Sequence, residues 1–359
     1  MNLIPTPSER LTRARADLRV GLPVVIRTGE ARLLVASAET LAADRLRALE
    51  ALGPLVLAIT DWRARTLKAR IYDGDLARLE LPHGIALEAV QALADPAADM
   101  RHPMKGPFRE ARGTDAEPHR AAIRLAKSAR LLPAVVAVAA PAGADWGDLS
   151  QIDAEWVCED AALAPSLVPV SGARVPMEVS QAGRLEVFRS ADGSDDHYAV
   201  EIGKPRGQDA PLVRLHSACF TGDVMGSLKC DCGPQLHAAM ERMAEEGAGV
   251  LLYLGQEGRG IGLANKMRAY ALQDQGFDTV DANHRLGFED DERDFRIGAE
   301  ILKTLGISRV RLLTNNPRKV EMLTRCGIDV IERVPLQVGR GAFNAAYLDT
   351  KAKRSGHLF

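Results

Sequence analysis

Residues 214–235 read RLHSACFTGDVMGSLKCDCGPQ. Three of the five cysteines, Cys219, Cys230 and Cys232, fall in this one stretch around a Thr-Gly-Asp turn, with Arg214, His216 and Lys229 close by. Three thiolates in one loop repel one another unless a cation lies between them, and sulfur ligands suit Zn2+. Three protein ligands also leave a fourth tetrahedral position open for water, the mark of a catalytic metal. Two other readings stand beside this one: a structural zinc completed by a histidine such as His216 or His284, or a disulfide. The flanking sequence is crowded with turn residues and cations and lacks the second paired-cysteine knuckle of a zinc ribbon. It therefore reads as a hydrolytic metal centre.

The rest of the second half is built to deliver and surround that stretch. RLEVFRS (184–190) and HYAVEIG (197–203) alternate as antiparallel strands do, and VRLH (213–216) is a strand that runs straight into the cysteines. After them Gly233–Glu246 has helical spacing, with Leu236, Ala239, Met240 and Met243 on one face, and Val250–Leu254 reads as a buried strand. The loop Gly255-Gln256-Glu257-Gly258-Arg259-Gly260-Ile261-Gly262 then leads into a helix over 263–275. Glycines between a strand and a helix let backbone N–H groups approach an anion, although a tight turn would need them as well. Val310–Leu313 followed by Thr314-Asn315-Asn316-Pro317-Arg318-Lys319 repeats the geometry, with Asn316 as cap and Pro317 at the first helical position. Cations in that first turn oppose the helix dipole unless an anion is also present. Arg293, near the start of a helix marked by Phe295, Ala299 and Leu302, shows the same oddity. Two such loops call for a polyphosphate.

In the first half, helical spacing over 8–20, 43–52 and 121–131 alternates with apolar runs at 22–26, 54–60 and 134–140, the order of an α/β layered domain. Residues 96–118 are polar and rich in Pro and Gly, a long surface excursion. SLVPVSG (166–172), continuing into ARVP, reads as a linker, and Cys158 as a small buried hydrophobe. The expected class is α/β (α+β) with two domains, 1–170 and 171–359, each a mixed sheet with packed helices. A chain of 359 residues, 46% of them hydrophobic, suits that division. Its formal charge of -2 lacks the cationic surplus of a protein that lives on nucleic acid, so a small anionic ligand held by local cations fits better. The start, MNLIPTPSERLTRARADL, has no apolar signal core, and no run approaches the ~20 apolar residues of a membrane span. The expected compartment is the cytoplasm, where thiols persist.

SLKCDCG, QEGRGIGL, RAYALQDQGFDT, ANHRLGF, DERDF and LLTNNPRK together resemble the GTP cyclohydrolase II family, over about half the chain from Val175 to the closing YLDTKAKRSGHLF. The resemblance implies that family's fold for the second domain. It also implies its reaction, hydrolysis of GTP to 2,5-diamino-6-(5-phospho-ribosylamino)pyrimidin-4(3H)-one, formate and pyrophosphate, the first step of riboflavin biosynthesis. By the same resemblance Cys219, Cys230 and Cys232 hold one zinc per chain, with water as fourth ligand. Arg214, Leu215, His216, Ser217, Gln235, Glu257, Gly258, Arg259, Thr279, Thr314 and Lys319 contact GTP, whose triphosphate carries Mg2+. Tyr270, Asp291 and Arg293 are catalytic, with Asp291 as proton acceptor and Arg293 as nucleophile, and the assembly is a homodimer. Two positions depart from the pattern: Ala218, among the GTP contacts, stands where many members carry Glu, and Gly255 replaces a common basic residue.

ERLTRARADLRVGLPVVI, VASAET, LAITDWRARTL and HRAAIRLAKSARLLPAVVAV resemble 3,4-dihydroxy-2-butanone 4-phosphate synthase. That family's acidic run after the first strand is replaced here by RTGEARLLVASAET, and its Gly-His-Thr-Glu motif by GTDAEPHRAAI. Glu30 and His119 remain as solvated surface side chains, so the first domain is expected to keep the fold without the reaction. The rival readings are a bifunctional enzyme with residual synthase activity, separated by ribulose 5-phosphate turnover, and a non-catalytic GTP-binding regulator, separated by GTP consumption.

Overall fold

The computed structural model describes residues 3–141, 143–162, 165–345 and 354. The chain forms two compact units, Met1–Leu163 with Ala264–Asp291, and Ala164–Leu263 with Glu292–Phe359. The first break follows Leu163, whereas the sequence pattern places it at 170/171. The excursion of residues 264–291 into the first unit was not foreseen, because contacts distant in sequence decide it.

The first unit is a six-stranded sheet of β1 (Val24–Thr28), β2 (Ala31–Ser37), β3 (Val56–Thr60), β4 (Leu76–Glu80), β5 (Ala134–Ala139) and β6 (Gln151–Asp153), in the order β4-β3-β5-β2-β1-β6. All neighbours are antiparallel except β1 and β6. Helix Pro7–Arg19 opens with a capping box between Thr6 and Glu9 and buries Leu11, Ala14 and Leu18. These meet residues of Glu117–Ser128 and of the sheet in one core. β1 and β2 are joined by the two-residue turn Gly29-Glu30, with Gly29 at φ +56°. Residues 96–116 form the expected irregular excursion. Asp99 anchors it, held by the fully buried Arg63 at 2.7 and 2.8 Å and by Lys105.

The second unit is a seven-stranded sheet of β7 (Leu167–Arg174), β8 (Gly183–Ser190), β9 (His197–Ile202), β10 (Leu212–Ser217), β11 (Gly249–Leu254), β12 (Arg309–Leu313) and β13 (Asp329–Val334), in the order β13-β12-β10-β11-β9-β8-β7. β13, β12, β10 and β11 are parallel, and the other pairings are antiparallel. The expected linker is in fact β7. It is an exposed edge strand, and Pro169 stands where the register with β8 shifts, a position that tolerates a missing N–H. Apolar side chains of β10–β12 pack with Phe295, Ala299 and Leu302 on one side and, in a second cluster, with Ala239 and Met243 of helix Cys232–Glu245. Among the described residues no helix is long and apolar enough to cross a membrane. YLDTKAKRSGHLF, residues 347–359, lies outside the described residues apart from Arg354.

Candidate active site

Parallel strands open a crevice beyond their carboxyl ends, where each chain leaves the sheet for a helix. Here the ends of β10, β11 and β12 lead respectively to the cysteine loop, to Gly255–Gly262 and to Thr314–Lys319. The sequence motifs of the second unit thus meet along one edge of its sheet.

Past Ser217 the backbone stays tied to the sheet, since Ala218 N–H donates to the Leu254 carbonyl at 2.8 Å. It then makes a wide turn over Phe220–Val224, returns through Cys230 and starts the helix at Cys232. The sulfurs of Cys219, Cys230 and Cys232 lie within 4.8 Å of one another. Cys219 and Cys230 are 3.7 Å apart, far beyond the ~2 Å of a disulfide. All three are free thiols, so the disulfide reading falls.

The cluster fits a cation on three grounds. The Cys232 thiol is pushed well up by hydrogen bonding to Cys219 and Cys230 and by burial, and Cys230 is pushed up mainly by Cys219. Sulfurs that resist ionising together are what a bound dication would deprotonate. Gly222 keeps the space open, because a Cβ there would stand 2.7 Å from the Cys230 sulfur and 3.0 Å from that of Cys219. No other group of three or more His, Cys, Asp or Glu side chains among the described residues has such spacing.

The histidines once open as fourth ligands are engaged elsewhere. His216 is buried, with Nε2 3.1 Å from both carboxylate oxygens of Asp223. Burial lowers its pKa, so the neutral ring donates from Nε2 while Nδ1 stays buried without a partner. His284 belongs to the first unit and stacks on Trp62 at 3.6 Å.

Asp223, noticed in the sequence only as part of a turn, is the hub of this loop. It also accepts from the Cys219 backbone N–H and the Tyr253 hydroxyl, each at 3.0 Å. Burial and the Asp223 charge push the Tyr253 phenol up, so it stays protonated as a donor. An acidic residue four positions after the first cysteine was the available signal, but only folding brings His216 and Tyr253 to it.

A cationic floor adjoins the loop. Arg214 is buried, donates to the Leu313 carbonyl at 3.0 Å and to Gln235, and leaves Nε buried without a partner; burial lowers its pKa to about 10. Lys319 donates to the Leu215 carbonyl at 2.8 Å, and Arg293 reaches the Ser217 hydroxyl at 3.4 Å. Both cations flank the Phe295 ring, 5.0 and 4.7 Å from its centroid. Asn316 caps its helix as expected, accepting from Arg318 N–H at 3.0 Å, and the Thr314 hydroxyl accepts from Asn316 N–H at 3.0 Å.

Glu257 accepts from Phe220 N–H at 2.6 Å and from Gly258 N–H at 2.9 Å, so it ties the glycine loop to the cysteine loop. Gly258 and Arg259 are both left-handed, a strained state for arginine. Gly255 is closely fitted, since a Cβ would fall 2.7 Å from the Asp195 Cβ and 2.9 Å from the Asp196 carbonyl oxygen, so a larger residue would have to shift that segment.

Tyr270, Thr279 and Asp291 belong to the segment grouped with the first unit. Thr279 begins helix Thr279–Leu286 and accepts from Gln273 at 3.3 Å, and Lys266 lies 5.7 Å from the Tyr270 ring centre. In the same unit Glu30 is exposed in its hairpin turn. His119 is not the solvated side chain expected: it is buried, and burial with the nearby Arg78 drives its pKa down to about 4.

The pattern of the family described as GTP cyclohydrolase II matches residues 169–335. A protein of Azospirillum brasilense named GTP cyclohydrolase-2 is 44% identical over 365 residues, covering 97% of this chain and 93% of its own. One of Escherichia fergusonii with the same name is 63% identical over 171 residues, 48% of this chain and 86% of its own. A crystal structure of a two-domain 3,4-dihydroxy-2-butanone 4-phosphate synthase from A. baumannii aligns at 17% identity with a TM-score of 0.33, over 85% of this chain and 93% of that one.

Proposed function

The chain belongs to the GTP cyclohydrolase II family, hydrolases that open the imidazole ring of GTP at the first step of riboflavin biosynthesis, and we propose how its own residues divide that work. The observation that carries the reading is the trio of cysteine sulfurs within 4.8 Å, beside buried Arg214 and Lys319 at the carboxyl ends of parallel strands.

Cys219, Cys230 and Cys232 would hold zinc, which supplies the Lewis acidity for hydration at C8 of guanine. Arg214, Arg259, Arg293 and Lys319 balance the triphosphate and its Mg2+. The Arg293 guanidinium lies over the Phe295 ring, a place that favours a cation, so it acts as a clamp on the departing pyrophosphate. Water attacks the α-phosphorus as the pyrophosphate leaves and gives its proton to Asp291, and the Tyr270 hydroxyl handles protons during hydration. Glu257 offers acceptors for the N–H donors of guanine. The first half of the chain is silent as a synthase: Glu30 sits in a two-residue turn with no room for the acidic run, and His119 is buried. The assembly is a cytoplasmic homodimer, in line with the resemblance and with thiols kept reduced.

The test is to incubate the protein with GTP, Mg2+ and zinc and to measure formate, pyrophosphate and the diaminopyrimidine together. Tyr270→Phe should release pyrophosphate while forming formate about 10²–10⁴-fold more slowly, the usual size of general acid–base catalysis. Arg293→Ala should lose pyrophosphate release. Equal loss of both products in Tyr270→Phe, with zinc content and folding intact, would overturn the division of roles.

A further inference from the structure

The short relative from Escherichia fergusonii has room for little beyond the second half, yet this chain carries about 160 further residues, without the synthase family's ligand motifs. Those residues form one compact unit with residues 264–291, the segment with Tyr270, Thr279 and Asp291.

The seat lies at one end of the six-stranded sheet, where β2 and β3 finish and β5 begins. Arg268 is clamped between two carboxylates, its Nε 3.0 Å from Asp95 and a terminal nitrogen 3.0 Å from Glu39. The wholly buried Asn265 donates to the Arg130 carbonyl at 2.9 Å. Trp62 stacks on His284 with 7° between the rings and donates from Nε1 to Glu289 at 3.1 Å. Gly287, at φ +91°, lets the segment close on β3: a Cβ would stand 2.7 Å from the Thr60 hydroxyl and 2.8 Å from Pro133. Two-sided charge clamping, a buried amide and a close-packed glycine over-determine the position of these residues. VASAET, LAITDWRARTL and HRAAIRLAKSARLLPAVVAV, stretches that resemble the synthase family, contain Glu39, Trp62 and Arg130.

We propose that the N-terminal half is a positioning device for the hydrolase, a seat that fixes the segment bearing Tyr270 and Asp291. The inference rests on the proposed roles of those two residues. A rigid seat fixes the orientation of a catalytic group, so its loss lowers kcat more than KM.

The experiment uses the full chain with Trp62→Ala, with Trp62→Phe, which keeps a ring for His284, and with the pair Glu39→Gln and Asp95→Asn. Formate release is measured at saturating and limiting GTP. Bound zinc and amide exchange by peptide are recorded alongside. The expected result for Trp62→Ala and for the carboxylate pair is faster exchange in 264–291 with exchange in 212–235 and zinc unchanged, a fall in kcat of tenfold or more and KM within about threefold. Trp62→Phe should recover most of the loss. Faster exchange in 264–291 with kcat unchanged overturns the proposal, as does an equal loss in all three variants. If Trp62→Ala fails to fold, the carboxylate pair decides by the same readings. Absence of formate from the unaltered protein would instead defeat the assigned reaction, whatever the exchange pattern.

Discussion

At the scale of single residues, Asp223 does what no ligand can do for itself. Its carboxylate fixes the Cys219 backbone, the Tyr253 hydroxyl and His216 at once, and it is buried with them. Groups that orient metal ligands are typically worth about 10–100-fold in metal affinity. Asp223→Ala is therefore expected to weaken zinc retention by about that factor, and Cys230→Ser to lower bound zinc further and abolish formate release, both read by metal analysis and zinc-chelator competition. Zinc held equally by Asp223→Ala would remove Asp223 from this role. His119 makes a second prediction. Its pKa is about 4 in the fold against 6.5 when free, so the unfolded chain binds the extra proton between those values. Stability is then fully present above about pH 6.5 and falls as pH drops toward 4, by roughly 3 kcal/mol at most. Calorimetry at pH 7.5 and 5 should show a smaller difference in Tm for His119→Leu than for the parent protein.

At the scale of elements, the site is assembled by what happens just after three strands end. The loop after β11 makes its turn through left-handed Gly258 and Arg259 and then Gly260 at φ +95°. Gly260 is where that loop meets the chain leading to Arg293: a Cβ would lie 2.7 Å from the Glu292 carbonyl oxygen, and Glu292 N–H donates to the Arg259 carbonyl at 3.1 Å. Gly260→Ala must move backbone on one side or the other, on top of about 1–3 kcal/mol for a non-glycine residue in such a conformation. Arg293 should be displaced while the cysteine cluster is spared. The expected outcome is a pyrophosphate release rate down by tenfold or more with zinc content intact, and unchanged release would show that the loop yields without moving Arg293.

At the scale of the whole molecule, the two units are not the two halves of the sequence. A fragment ending at residue 170 would leave the first unit without residues 264–291, so the synthase question belongs to the full chain. With ribulose 5-phosphate and Mg2+ the full chain is expected to form no dihydroxybutanone phosphate above a no-protein control. Formation above that control would make the chain bifunctional and reverse the reading of its first half.

Local chemistry was enough to determine the cysteine trio, the Asn316–Pro317 helix start and the alternation of strands and helices, because each depends on neighbours a few residues away. The edge strand β7 was misread as a linker since its exposed pattern, with Pro and Gly, carries no burial signal; only pairing with β8 marks it as a strand. His119 looked solvated for the converse reason, as a helix whose neighbours are unknown does not declare which face is covered. The hub at Asp223 and the seat for residues 264–291 include pairs far apart in the chain, Asp223 with Tyr253 at 30 residues and Glu39 with Arg268 at 229. Composition and spacing hold no record of such pairs. They exist only because folding buries those polar groups, and a buried donor or charge must find its partner wherever the chain brings one.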